Sequence, residues 1–171
     1  MSPIVKRLTL ASCFACLSAL TALDAAAERR DQTYVKSNYR TAAKSTIPIA
    51  EPPNHEVANE LGISAMKYSS PDFKVTEEWN FNLSRGVDGT GQHQGQWVDF
   101  HSGGEQTYGS FEGTYKTTAN ADGSWETTWQ GTYKYLGGTG KYKNIKGGGN
   151  YKGRISSSAP FHEEGREVIE Y

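Results

Sequence analysis

The sequence predicts an all-β protein, an antiparallel barrel of six to eight strands preceded by an irregular N-terminal arm. Three observations carry that expectation. From Phe73 onward apolar and polar residues alternate with a period of two, as a strand with one buried face requires. Breaks rich in Gly, Asp or Asn interrupt the alternation at Gly86–Gly91, Ser102–Gly104, Asn120–Gly123 and Gly137–Gly140. An aromatic residue recurs every eighteen positions, at 79, 97, 115, 133 and 151, with glycine two residues before each of the last four.

In chain order, residues 1–27 read as an export signal. Lys6 and Arg7 are followed by the uncharged stretch Leu8–Leu23, then by Asp24-Ala25-Ala26-Ala27 and the charges Glu28-Arg29-Arg30. A positive start, an apolar middle and small residues at the cleavage site are the marks of a cleavable leader. About 16 uncharged residues is short for the roughly 20 that a spanning helix needs. Leu10-Ala11-Ser12-Cys13 superficially matches a lipoprotein site, but only Leu8 and Thr9 separate it from Arg7. The expected location is therefore periplasmic or secreted. Both cysteines, Cys13 and Cys16, leave with the leader. Disulfides, thiol catalysis and cysteine-ligated metals are thereby excluded from the mature chain.

Residues 28–65 are expected to form an irregular arm or linker. Pro48, Pro52 and Pro53 interrupt regular structure there, and Asn54 to Gly62, with Val57, Ala58 and Leu61, suggests one short helix. Residues 66–171 are assigned to the barrel. The predicted strands are 73–84, 91–101, 106–118, 124–136, 147–155 and 165–171. Ala121-Asp122-Gly123 is the strongest hairpin signal, since Asp-Gly tolerates the positive φ of a tight turn.

The eighteen-residue period is one strand plus one turn. Phe111-Glu112-Gly113-Thr114-Tyr115-Lys116 recurs as Trp129-Gln130-Gly131-Thr132-Tyr133-Lys134, and again in part as Gly149-Asn150-Tyr151-Lys152. A meander of long antiparallel strands produces such a repeat, the glycines relieving crowding where a coiled sheet bends. Closure into a barrel removes the exposed edges that such strands present.

The run Gly137-Gly138-Thr139-Gly140-Lys141-Tyr142-Lys143-Asn144-Ile145-Lys146-Gly147, with Tyr151-Lys152-Gly153 after it, resembles the Gly-Thr-Gly-basic-aromatic segment of the allene oxide cyclase and dirigent-like barrels. The resemblance covers about residues 70–171 and implies an eight-stranded antiparallel barrel, with homo-oligomeric association as a further implication. The matching residues are glycines and packing aromatics, so no catalytic residue is carried over, and a shared fold does not select an activity.

Glu77 is the candidate catalytic residue. It shares parity with Val75, Trp79, Phe81 and Leu83, which predicts a carboxylate on the apolar face, where desolvation raises the pKa toward general acid–base use. The alternatives are a place near the strand end, a buried ion pair, or a β-bulge that switches its face. The candidate ligand-binding residues are Trp79, Trp97, Tyr115, Trp129, Tyr133 and Tyr151, whose rings suit an apolar or aromatic ligand; filling of the interior by those rings is the alternative.

Metal binding is not expected. His93, Asp99 and His101 share parity on one strand, but His93 and His101 are about 26 Å apart along it at 3.3 Å per residue, and two ligands make a poor site. His55-Glu56 and His162-Glu163 are expected to be solvated. No nucleophile elbow or phosphate loop is present, and no cofactor is implied. Asn82-Leu83-Ser84 is a formal glycosylation sequon. Loss of Lys6, Arg7 and Asp24 with the leader leaves 16 basic and 18 acidic residues, so nothing argues for a nucleic-acid partner, and no second segment is apolar enough to span a membrane. Two functions follow: an exported barrel holding a small hydrophobic or aromatic ligand, with an isomerase or cyclase variant, and a non-catalytic structural or interaction protein with a solid barrel.

Overall fold

Eight antiparallel strands close into one barrel, each paired with its neighbours in sequence and β1 with β8. They are β1 (Arg29–Ile49), β2 (His55–Tyr68), β3 (Val75–Val87), β4 (Thr90–His101), β5 (Gln106–Ala119), β6 (Trp125–Gly138), β7 (Lys146–Ser156) and β8 (His162–Glu170). The computed structural model describes residues 27–50 and 54–171. Almost all of the expected export signal lies outside the described residues. Among the described residues no helix is long and apolar enough to cross a membrane.

The six strands predicted from alternation are β3 to β8, displaced by at most three residues at either end. Their turns follow from local chemistry. Asp88 and Gly89 both have positive φ, 50° and 74°, and close the β3–β4 hairpin in two residues, as primed turns demand. At the β5–β6 turn Gly123 has φ 84°, and Asp122 accepts from the Ser124 N–H at 2.9 Å.

The expected arm is instead two strands. Residues 28–65 supply β1 and most of β2, so the barrel begins at Arg29 rather than at residue 66. Two causes hid them. The inward residues of β1 are Gln32, Tyr34 and Lys36, which make no apolar stripe. In β2, Val57, Ala58 and Leu61 mimic helical spacing, but Asn54 has φ 59° and forms a turn before the strand. Two register shifts bend β1, between Ser37 and Arg40 and between Thr41 and Ala43, as β-bulges do.

One end of the barrel is plugged. Phe73, from the β2–β3 connection, is 1% exposed and packs on Tyr68, His101 and Tyr142 at ring-centroid distances of 4.8, 4.8 and 5.2 Å. The Gly-Thr-Gly segment contributes a short 3₁₀ turn, Gly140–Tyr142, that buries Tyr142 here. Val75, Ile145 and Ile169 complete the plug. Burial of these apolar groups is the main local stabilisation, at about 25 cal/mol per Å² removed from water.

Candidate ligand-binding cavity

Above the plug the interior is hollow. A cavity of about 540 Å³ extends toward the opposite end, where Glu56, Ser84, Tyr115, Thr127 and Ile155 also line it. Five of the six predicted ligand-binding aromatics line this space: Trp97, Tyr115, Trp129, Tyr133 and Tyr151.

The eighteen-residue repeat explains how large rings and a cavity coexist. Strand pairing aligns Trp129 with Gly153, and Gly153 with Glu163. The indole crosses the bare glycine, and its N–H donates to Glu163 Oε2 at 2.7 Å, two strands away. Tyr133, Gly149 and Glu167 repeat the arrangement, with the Tyr133 hydroxyl donating to Glu167. Tyr151 aligns with Gly131, Gly131 with Gly113, and Gly113 with His93. The phenol spans both glycines, and its oxygen lies 2.6 Å from His93 Nε2. A side chain at Gly113 or Gly131 meets the Tyr151 hydroxyl closer than van der Waals contact. The glycines are therefore channels through which rings reach polar partners, the relation of ring to bare strand glycine used to pin strand register.

Carboxyl groups concentrate in the same interior. Glu78, Asp99, Glu163 and Glu167 are 6%, 1%, 7% and 1% exposed. One ammonium faces them: Lys36 Nζ lies 2.5 Å from Glu78 Oε1 and 3.7 Å from Glu163 Oε1. Burial acts against the Lys36 charge, but Glu163 and Glu78 outweigh it and the pKa is raised. Burial also raises Glu163, against the pull of Lys36, and raises Glu167, against hydrogen bonds from Tyr133, Gln32 and Tyr135.

Asp99 is the extreme case. Burial, then Glu78 and Glu167, push its carboxyl well above the usual range, and the Lys36 ammonium only partly offsets this. Thr107 Oγ1 donates to its Oδ2 at 3.3 Å, whereas Oδ1 has no protein partner. A carboxyl whose hold on its proton burial strengthens, with one oxygen free of protein partners, is equipped to donate or accept a proton in the barrel interior. His93 and His101 are lowered to about 4, by burial first, and are neutral at physiological pH.

Glu77 and Trp79 fall elsewhere. A register shift between Val75 and Glu77 places the bulge at Thr76, and from there Glu78, Asn80, Asn82 and Ser84 face the cavity. Trp79 lies on the outer face, 5.9 Å from the Phe100 ring, and donates to Glu77 Oε1 at 2.5 Å. Phe81 and Leu83 are 52% and 37% exposed. The alternation of β3 is real, but its apolar side faces out, because this barrel keeps its polar groups inside. Asn82, the sequon residue, lines the cavity.

Four cavity residues escaped the sequence. Tyr34 and Lys36 sit in the supposed arm, Glu78 has the wrong parity before the bulge, and Glu163 was expected to be solvated. Its neighbour His162 is exposed as expected, whereas His55 is 6% exposed and accepts from Arg85 at 3.1 Å. The signal available for Glu163 was its two-residue spacing to Gly165 and Glu167 on one strand face. Among the described residues no cluster of three metal-ligating side chains occurs.

No protein-family model and no curated protein matches the chain. Among solved structures, that of a pterocarpan synthase dirigent protein aligns at 12% identity and a TM-score of 0.42, over 94% of this chain and 98% of that one. The barrel assignment rests on the strand pairing itself.

Proposed function

We propose that the protein is an exported small-molecule-binding barrel that holds a hydrophobic or aromatic ligand in its interior. One observation carries the reading: a cavity of about 540 Å³ lined by rings and by fixed polar atoms. That volume is within the range of about 300–1,000 Å³ typical of small-molecule sites, which are largely apolar with a few converging polar groups. Export is inferred from the leader-like N-terminus alone. An isomerase- or cyclase-like activity is compatible with the acids present. Asp99 and Glu163 then take the acid–base role first considered for Glu77, whose side chain bonds to Trp79 on the outer face. The test is titration with a neutral aromatic probe, 2-naphthol, followed by tryptophan fluorescence. Saturable binding, lost when Ala58→Phe fills the cavity, supports the reading; equal uptake by the filled variant contradicts it.

A second reading, a non-catalytic interaction protein that associates with its own copies, is favoured by the exposed Phe81 and Leu83 on the outer face. Light scattering of wild type and Phe81→Ser distinguishes it: an oligomer that dissociates on substitution supports this reading, and a monomer in both removes it.

A further inference from the structure

The charges in the cavity do not balance. Among the residues that line it, Glu56, Glu60, Glu78, Asp99 and Glu163 are acidic, against Lys36 and Lys44. Lys36 is already held by Glu78 and Glu163, and Lys44 lies 3.7 Å from Glu60. No lysine is left for an incoming anion. Three of the phenols are committed as well: Tyr34 donates to Glu163 and Tyr133 to Glu167, while Tyr151 shares its bond with His93. Acceptor capacity and ring faces remain free. Asp99, 1% exposed, has Oδ1 unpartnered in the cavity wall. Tyr133 stands 6.4 Å from Trp97 and 6.4 Å from Tyr151, centroid to centroid. Ring faces attract a cation within about 6 Å of the centroid, more strongly when it is desolvated.

We propose that the ligand is an organic cation, an aromatic amine or quaternary ammonium, with its ring among Trp97, Tyr133 and Tyr151 and its charge toward Asp99. This rests on the cavity being a ligand site. The groups facing Asp99 are Lys36 from β1, Tyr68 from β2, Glu78 from β3, Tyr133 and Tyr135 from β6, and Glu167 from β8. Lys36 is the one cation in that set, and it is shared between Glu78 and Glu163. An ammonium arriving beside Asp99 displaces the carboxyl proton to solvent, so the cavity exchanges one positive charge for another.

The test uses three probes with one indole ring: tryptamine, the neutral alcohol tryptophol, and indole-3-propionate. Calorimetric titration at pH 7 is expected to give tryptamine at least ten-fold tighter binding than tryptophol, with the carboxylate weakest. Titration in buffers of different ionisation enthalpy is expected to show proton release on tryptamine binding. Asp99→Asn is expected to abolish that release and the ten-fold preference while tryptophol still binds. Glu163→Gln, checked for fold by circular dichroism, is the second variant and is expected to reduce the preference. Tryptophol or the propionate binding as tightly as tryptamine overturns the inference and leaves the cavity reading standing. Failure of all three probes and of 2-naphthol overturns both.

Discussion

The Trp129 indole passes over Gly153 and donates to Glu163, so three successive strands are joined by one side chain and one missing side chain. Replacing Gly153 by alanine forces the indole aside. Overpacking of this kind costs about 1–3 kcal/mol, read as a lower urea midpoint with an unchanged slope. Because the penalty arises from contact with the ring, it should largely vanish in a Trp129→Leu background. Equal penalties in both backgrounds contradict the mechanism.

The lysine is the second point of sensitivity. Lys36→Met leaves Glu78 and Glu163 without their shared counter-ion, and breaking a buried pair costs about 3–5 kcal/mol. The loss should shrink as pH falls and Glu163, whose pKa burial raises, takes up a proton. Adding Glu78→Gln should recover part of it, by removing one uncompensated charge. Unfolding curves at pH 7 and pH 5 measure both effects, and a penalty independent of pH contradicts the assignment.

The sequence made the strands legible without saying which face points inward. In β4 to β7 the eighteen-residue repeat placed Trp97, Tyr115, Trp129, Tyr133 and Tyr151 inside, because glycine beside a ring is a packing relation independent of polarity. In β3 the rule that apolar means buried failed. The bulge at Thr76 switches faces, and the interior selects Glu78, Asn80 and Asn82, while Phe81 stays 52% exposed. The same inversion hid β1, whose inward residues Gln32, Tyr34 and Lys36 carry hydrogen bonds or charge rather than apolar surface. A sequence read for hydrophobic periodicity detects the apolar-patterned strands and turns of a polar-lined barrel and misses the polar residues of its interior.

Stability should fall as pH rises above neutrality. Asp99, Glu163 and Glu167 have pKa values raised in the folded state. Their favourable contribution is complete below the ordinary carboxylate pKa and is lost as pH rises through the folded values. His93 and His101, lowered to about 4, act in the opposite sense, but only below their ordinary value of about 6.5. Above that pH Asp99, the most strongly raised of the three, acts without that opposition, with a limiting slope of about 1.4 kcal/mol per pH unit while its carboxyl titrates. Urea unfolding from pH 7 to pH 9 should show the decline, and Asp99→Asn should flatten it. A wild-type stability constant over that range contradicts the buried-acid assignment.

Glu77→Gln should be nearly silent. The residue bonds to Trp79 on the outer face, and surface substitutions usually change stability by no more than about 0.5 kcal/mol. Ligand retention should be unchanged as well. A loss of retention comparable to that of Asp99→Asn places Glu77 in the cavity and refutes the β3 assignment.

A hollow barrel of this kind should hold a ligand. Native mass spectrometry of the protein purified gently from its own host tests it most directly. The expected result is an organic adduct of a few hundred daltons, lost from the Ala58→Phe variant, or uptake of aromatic probes by the empty chain. A bare polypeptide mass with no uptake from a panel of neutral and cationic aromatics contradicts it.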